Sequence, residues 1–438
     1  MTQRIALFGD TFGVPLTLKV LSADLIAVCV AAEIRPQQHA ELRRLCETYQ
    51  IPFLIQPRIS AESYPAFVRS LRALNLDLIL SNCYSMLIRP EILSIPRLGA
   101  VNIHGALLPQ YRGCNPIQWA LLNNETETGA TMHYMAAEFD AGDIIAHRRV
   151  PMYIQDTWQN VLARIGDATE EMLKEEVPKL LAQTNNRQPQ DETKARYYKR
   201  RQPEDGIIDW KQQSVIHVYN LVRALVKPHP GAFYYHGSEK VVVDGYLTVA
   251  KVTALKYGEA GCQTLNAESI RIAPISLSDV PIAVQLIKRL SELSSNTISI
   301  DPVGEVENQG WHESVQQRND VVVFGARVLE TEQLVGVGML HSINFFHRTA
   351  EMHIRLKEEG MASSDHGNQA MGLLLLFAFR ELNLNRLDRH VVSTNEAVIR
   401  ACEKVGFVRE GLLRKAAHID GEYIDLVVLG ILREDFGG

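Results

Sequence analysis

At 438 residues, with 46% hydrophobic and 22% charged residues, the chain is globular in composition and too long for one compact core, so two or three domains are expected. A formal net charge of -6 argues against a large nucleic-acid footprint but leaves room for a local basic pocket facing a small anionic substrate. The six cysteines (Cys29, Cys46, Cys83, Cys114, Cys262 and Cys402) are scattered without a CxxC pair, which excludes a disulfide framework or zinc knuckle. No apolar run is long enough to span a bilayer, so the expected location is the cytoplasm, with no membrane partner.

Over the first hundred residues, short apolar runs (RIALFG, LIAVCVAAE, LDLILSNCYSML, GAVNIHGALL) alternate with amphipathic stretches such as AELRRLCETYQ. That alternation predicts βαβ units and a parallel sheet open to a ligand at its strand ends. The GDTFG turn, Gly9 to Gly13, follows the first strand and reads either as a phosphate-approaching loop or as a plain turn. The polar, basic stretch QPQDETKARYYKRRQP, Gln188 to Pro203, reads as a linker or exposed connection and marks the first seam. Beyond it, an amphipathic helix (HVYNLVRALV) followed by short strands through KVVVDGYLTVA predicts a small accessory domain, with a second seam between Tyr257 and Ser269. From Ile270, a strand, turn and helix lead into VVVFGARVL, LVGVGMLHS and AEMHIRLKE as strands and QAMGLLLLFAFRELNL as a helix, closing the chain with an α+β domain. The expected domains are 1–203, 204–262 and 263–438, and there is no internal repeat.

The chemistry concentrates in VNIHGALLPQYRG. Asn102 and His104 stand two apart in an extended stretch and so share a face, and Asp140 begins a turn in FDAGD. An amide, an imidazole and a carboxylate delivered by separate strand ends supply an oxyanion donor, a proton shuttle and a group that orients and charges it. No serine or cysteine stands in a GxSxG elbow, so direct acyl transfer to an amine is favoured over an acyl-enzyme. Taken singly, each residue also reads as a structural hydrogen-bonder or turn residue.

NIHGALLPQYRGCNPIQWAL, followed by NNETETGATMHYM and FDAGDII, resembles the core of the folate-dependent formyltransferases, over roughly Arg4 to Val252. The resemblance implies a Rossmann-like core using N10-formyltetrahydrofolate, with Asn102 binding the formyl oxygen and His104, paired with Asp140, supporting charge and moving protons. It places a pterin-binding loop at Tyr84 to Ile88, with Met86, Leu87 and Ile88 acting through backbone, and a second loop at Phe139 to Asp143 closing over the same ring. Arg112 reads equally as a substrate contact or as a brace for its loop. The segment PEDGIIDW through PHPGAFYY resembles the corresponding part of sugar-nucleotide N-formyltransferases, which implies a nucleotide-linked amino sugar as substrate and no nucleic-acid partner. Methionyl-tRNA and a hydroxyornithine-type siderophore precursor remain as alternative acceptors.

Asn383 to Phe407 with EGLLR resembles the GNAT acetyltransferases, over Ile270 to Phe436. The resemblance implies acetyl-CoA, its pyrophosphate on backbone N–H groups at a helix start around Gly367 and Asn368, with Asn395 as a further contact. The sequence departs from the pattern at ASSDHGNQA, where Asp365 replaces the first glycine, and at Cys402, where many relatives carry a tyrosine. Glu351 reads as a base or as a salt-bridged strand carboxylate, and His353 shares its face. The chain therefore reads as α/β, a Rossmann-like formyltransferase core, a small accessory α+β domain and a C-terminal α+β GNAT domain, working as a bifunctional acyltransferase or as a formyltransferase with a non-catalytic binding or assembly module. Homo-oligomerisation is left open.

Overall fold

A computed structural model describes residues 3–243, 245, 247–258, 261, 263–291, 305–357, 364–419 and 421–437. They fall into two compact units, Met1–Asp205 and Gly206–Gly438.

In the first unit, strands β1 (Ile5–Gly9), β2 (Ile26–Ala32), β3 (Phe53–Gln56), β4 (Leu78–Asn82), β5 (Ala100–His104), β6 (Glu127–Tyr134) and β7 (Ile144–Pro151) form one sheet in the order β3-β2-β1-β4-β5-β6-β7. The first five run parallel, and β6 and β7 return antiparallel. Their composition explains it: β1 and β4 are buried at every residue, as strands covered on both faces must be, and helices α1 (Gly13–Val20), α2 (Pro36–Thr48) and α3 (Tyr64–Arg72) supply crossovers. β1 lies between β2 and β4, so the strand order reverses there and the carboxyl ends of β1, β4 and β5 open onto one crevice. The long helix α4 (Trp158–Ala182) packs along β7, its start fixed by a capping box between Thr157 and Asn160.

The GDTFG segment is a plain turn. Asp10 Oδ1 accepts the Phe12 and Gly13 N–H groups at 3.0 and 3.1 Å, so the donors a phosphate would need are already used. Gly13 is required by close approach, because a Cβ there would stand 2.0 Å from the Asn82 carbonyl oxygen. Residues 188–203 do not form a free linker. Gln188 pairs its backbone with Ile144, Tyr197 and Tyr198 pair with Arg112 and Gly113, and the Tyr198 ring stacks on Tyr111 with centroids 4.8 Å apart. The polar composition that suggested an exposed connection instead serves a strap lying across the loop after β5.

In the second unit, α5 (Val215–Ala224) is buried on nearly every side rather than amphipathic, and Asn220 and Arg223 satisfy each other inside it at 2.8 Å. After the hairpin β8 (Ala232–His236) and β9 (Glu239–Val243), the chain forms helix α6 (Val249–Tyr257), which the sequence reading had not singled out. Lys256 on α6 is 2% exposed and pairs with Glu381 at 2.9 Å while donating to the Gln213 carbonyl, and Glu381 also accepts the Val215 N–H. This one buried ion pair ties the accessory helices to the remainder of the unit.

That remainder is an eight-stranded sheet of β10 (Leu265–Asn266), β11 (Ile270–Pro274), β12 (Val321–Val328), β13 (Leu334–Asn344), β14 (Thr349–Leu356), β15 (Arg386–Val392), β16 (Val408–Ile419) and β17 (Glu422–Leu432). The order is β10-β11-β12-β13-β14-β15-β17-β16, with β14 and β15 its parallel pair. Helices α7 (Val280–Ser291) and α8 (Glu305–Gln316) precede β12, α9 (Asp365–Leu376) lies between β14 and β15, and α10 (Glu396–Lys404) precedes β16. Cys262 and Ala362–Ser363 of the expected pyrophosphate loop lie outside the described residues. Among the described residues, no helix is long and apolar enough to cross a membrane.

Candidate active site

The register of β5 against β6 builds the site. Asn102 lies directly opposite His133, and His104 opposite Thr131, whose hydroxyl donates to the Ala106 carbonyl and accepts the Leu108 N–H to pin the loop that follows. His133 Nδ1 lies 2.8 Å from the Tyr134 carbonyl, which can only accept, so the proton sits on Nδ1 and Nε2 is bare. The bare Nε2 accepts from the Asn102 Nδ2 at 3.2 Å. That bond sets the orientation of the Asn102 amide and leaves its second N–H for a ligand oxygen. Burial holds His133 neutral, pushing its pKa down to about 4.

His104 is 7% exposed and donates Nε2–H to the Tyr111 carbonyl at 2.8 Å, which turns Nδ1 toward Asp140 Oδ2, 3.6 Å away. Asp140 Oδ1 is also 3.6 Å from His133 Nε2, so one carboxylate stands between two imidazoles. Its Oδ2 accepts the Gly113 N–H at 2.8 Å. Asp140 occupies the left-handed region at φ 55°, a conformation that a non-glycine residue adopts only where its surroundings hold it. Gly142 supplies part of that hold: a Cβ there would come 1.9 Å from the Tyr134 carbonyl oxygen, so only glycine allows the turn to press against β6.

Arg112 supplies the other part. Its side chain is fully buried and forks onto Gln190 Oε1 and Glu192, with a bond to the Tyr197 hydroxyl at 2.8 Å. Gln190 in turn donates to the carbonyls of Asp140 and Gly142, both at 2.7 Å. Arg112 is thus a brace rather than a substrate contact, and it acts on Asp140 through Gln190.

The structure brings Asn102, His104 and Asp140 together: the spacing of two places Asn102 and His104 on one face, and the pairing of Asp140 with His104 is what the family resemblance implies. His133 and Gln190 were not foreseen. His133 is one residue of the strand TMHYM, and only the antiparallel register places it opposite Asn102; Gln190 sits in the strap, whose composition carried no sign of packing.

Among the flanking positions, Ile88 is 2% exposed and its side chain belongs to the sheet core. Leu87 is 40% exposed, and its carbonyl accepts from Gln56 Nε2 at 3.1 Å, while Gln56 Oε1 accepts from the Tyr84 hydroxyl. Gln56 therefore fastens the loop holding Met86 at both sides. Phe139 is 61% exposed beside the Asp140 turn, and the Asp143 carboxylate is turned away to Arg187 at 2.7 Å. A hollow of about 840 Å³ lined by Arg4, Arg72, Asp77 and Arg97 opens at the opposite, amino-terminal end of the strands, remote from these residues.

In the second unit, α9 begins at Asp365 with Ser364 as its cap. Ser364 Oγ accepts the Gly367 N–H at 3.3 Å, and the Ser364 carbonyl accepts the Asn368 N–H. The Asp365 carboxylate is drawn along the helix to Gln369 Nε2 at 2.7 Å. Asn395 caps α10, its Oδ1 accepting the Val398 N–H, and Cys402 on that helix is fully buried, with its thiol pushed up by desolvation.

Comparison with known families gives the two units their class. Residues 22–177 match the formyl transferase family, 200–288 its C-terminal domain, and 291–408 the acetyltransferase (GNAT) domain. The chain joins formyl transferase domains to a GNAT acetyltransferase domain. The formyl transferase match covers β2 to β7 of the first sheet, including the strand that carries Asn102 and His104, and the GNAT match covers four of the eight strands of the second sheet, β12 to β15. Solved structures similar to the chain include a sugar N-formyltransferase from Shewanella sp FDAARGOS_354 (20% identity, 56% of this chain and 98% of that one, TM-score 0.47). WlaRD, a sugar 3N-formyl transferase solved with dTDP and 5-N-formyl-THF, matches at 17% identity (62% and 94%, TM-score 0.43). A spermidine N-acetyltransferase from Vibrio cholerae in complex with CoA and spermine matches the other part at 21% identity (39% and 98%, TM-score 0.35).

Proposed function

We propose that the formyl transferase unit moves a formyl group from N10-formyltetrahydrofolate to the amine of a nucleotide-linked amino sugar, and that the GNAT domain acetylates an amine of the same or a related sugar. The observation that carries the first half is the Asn102–His133 bond, which leaves one amide N–H aimed where an oxyanion would develop, beside the His104–Asp140 pair. The folate supplies an activated formyl carbon on N10. The site's residues fit such a donor: Leu87 is exposed on the loop fastened by Gln56, and Phe139 is exposed beside the Asp140 turn.

The remaining steps belong to the chain. The amine attacks the formyl carbon as its C–N bond to the folate breaks, and Asn102 Nδ2 donates to the oxygen on which charge develops. Only a neutral amine is nucleophilic. The Asp140 carboxylate accepts the proton shed by the amine, directly or through water, and the His104 imidazole beside it relays a proton toward the departing folate nitrogen. Arg112 and Gln190 hold the Asp140 turn in place for both transfers.

For acetyl-CoA, Gln369 draws the Asp365 carboxylate along α9, but the Gly367 and Asn368 N–H groups are already taken by Ser364 Oγ and the Ser364 carbonyl, so these two residues do not fit as its pyrophosphate donors. When bound, acetyl-CoA would supply the thioester from which an acetyl group passes to the amine. A second reading is favoured by Cys402: fully buried, it offers no acid to a departing thiolate, and the GNAT domain would then bind without catalysing.

The test is mass spectrometry of a panel of UDP- and dTDP-linked 3-amino and 4-amino sugars, each offered either donor. Formyl and acetyl products on sugars support the proposal. Formyl product alone selects the second reading, and silence across the panel refutes the amino-sugar assignment and turns attention to tRNA and hydroxyornithine acceptors.

A further inference from the structure

Four chemically active side chains converge on one face of the second sheet, Glu351 and His353 among them. His341 on β13 lies directly opposite Glu351 on β14, His353 follows two residues later on the same face, and His390 reaches in from β15, two residues past Asp388, which pairs with Glu351. His341 Nε2 and His353 Nε2 each lie 4.0 Å from Glu351 Oε2, and His390 Nδ1 lies 3.5 Å from the same oxygen. The donor atoms of His341, Glu351 and His353 all fall within 4.8 Å of one another, and the two imidazoles stack with centroids 4.7 Å apart.

Glu351 was read from the sequence as a base or a strand carboxylate in a salt bridge, yet its partners are imidazoles, and Oε2 is buried with no hydrogen-bond partner among the described residues. A buried, ionised oxygen left unsatisfied is costly unless a cation or proton donor meets it. His390 Nδ1, at 3.5 Å, is the nearest group facing it, and the Nε2 atoms of His341 and His353 stand 4.0 Å away. Ser342 Oγ, 3.0 Å from His341 Nδ1, can accept the proton there and leave Nε2 bare. Two imidazole nitrogens and a carboxylate oxygen, all within 4.8 Å of one another, are lone-pair donors of the kind a metal ion takes as ligands.

We propose that His341 Nε2, His353 Nε2 and Glu351 Oε2 bind a divalent transition ion of the zinc class, with His390 bracing the carboxylate. The donor set, two histidines and a carboxylate, suits such an ion and leaves a coordination position open. Ligands at zinc-to-nitrogen and zinc-to-oxygen lengths of about 2.1 Å stand about 3.4 Å apart in a tetrahedron. The two 4.0 Å separations from Glu351 Oε2 therefore need to contract by about half an ångström, and the two imidazole nitrogens, which lie within 4.8 Å of each other, by up to about 1.4 Å, through side-chain rotation. At 18% side-chain exposure, Glu351 gives an ion a route in from solvent.

The experiment uses the full chain, stripped with chelator and titrated with zinc by calorimetry and with cobalt(II) by visible absorption. The expected result is one equivalent bound per chain with micromolar or tighter affinity and the d–d bands of a low-coordinate nitrogen and oxygen site. His341→Gln and His353→Gln should each weaken binding by more than about a hundredfold, and His390→Gln by about tenfold, the range for losing a residue that orients a ligand. Circular dichroism checks that each variant is folded. Absence of stoichiometric binding, or binding unchanged in the two ligand variants, would overturn the site. Should a variant unfold, X-ray absorption of the zinc-loaded wild-type chain decides instead: two imidazole nitrogens and a carboxylate oxygen are expected, and sulfur around the metal would refute the assignment.

Discussion

His133 offers a quantitative check on the architecture of the formyl transferase site. Its 1% exposure and its acceptor role toward Asn102 require a neutral ring, and burial lowers its pKa from 6.5 to about 4. At pH 7 the ring is neutral in both folded and unfolded chains. As the pH falls below 6.5, only the unfolded chain takes up the proton readily, so acid favours unfolding until the folded value near 4 is reached. The gap between the two values is worth about 3 kcal/mol, lost progressively across that window. In His133→Gln the titrating group is gone while a polar group remains near the Nε2 position. The variant should be less stable than wild type at pH 7, and its deficit should shrink by about 3 kcal/mol between pH 7 and pH 4 in urea unfolding of the full chain. The other buried histidine pushed to about 4, His341, is present in both proteins and cancels in the difference. A deficit independent of pH would refute a neutral buried His133 and, with it, the orientation assigned to the Asn102 amide.

Asn102→Ala should reduce formyl transfer by about a hundredfold to a thousandfold in kcat, the usual loss for one oxyanion donor, while acetyl-CoA binding measured by calorimetry stays unchanged. Arg112→Lys keeps the charge but cannot fork onto Gln190 and Glu192; it should cost about 2 kcal/mol in unfolding experiments and lower kcat through the loosened Asp140 turn, leaving KM for the folate close to wild type. Gly13→Ala places a methyl group 2.0 Å from a backbone oxygen and should destabilise the chain by about 2 kcal/mol or more, seen as a lowered thermal midpoint.

Local pattern made much of this visible. β1, β2, β4 and β5 are apolar runs bounded by turn residues, and their alternation with amphipathic helices dictates a parallel sheet. Asn102 and His104 were readable because a spacing of two in an extended strand puts both side chains on one face, and Asp140 because it begins the Ala-Gly-Asp turn of FDAGDII, part of the stretch that resembles the formyltransferases. Long-range pairing hid the remainder. Nothing in TMHYM announces that His133 faces Asn102, since the partner strand and its register are tertiary facts. The strap from Gln188 to Pro203 has the composition of a solvated connection, and Gln190 and Tyr198 become buried-side partners only once Arg112 and Tyr111 are brought beneath them. In the second unit the same limit applies to α6: its valines and threonine favour strand locally, and packing against α5 and β11 makes the segment helical. The cluster around Glu351 likewise needs three strands in register before it exists.

The most direct test of formyl transfer at this site compares wild type with Asn102→Ala/His104→Asn, following release of tetrahydrofolate from N10-formyltetrahydrofolate in the presence of the amino-sugar nucleotide that reacts in the panel. Wild type should turn over and the double variant should fall to background, with its fold and its acetyl-CoA binding intact. Formyl transfer surviving in the folded double variant would contradict the assignment of the site.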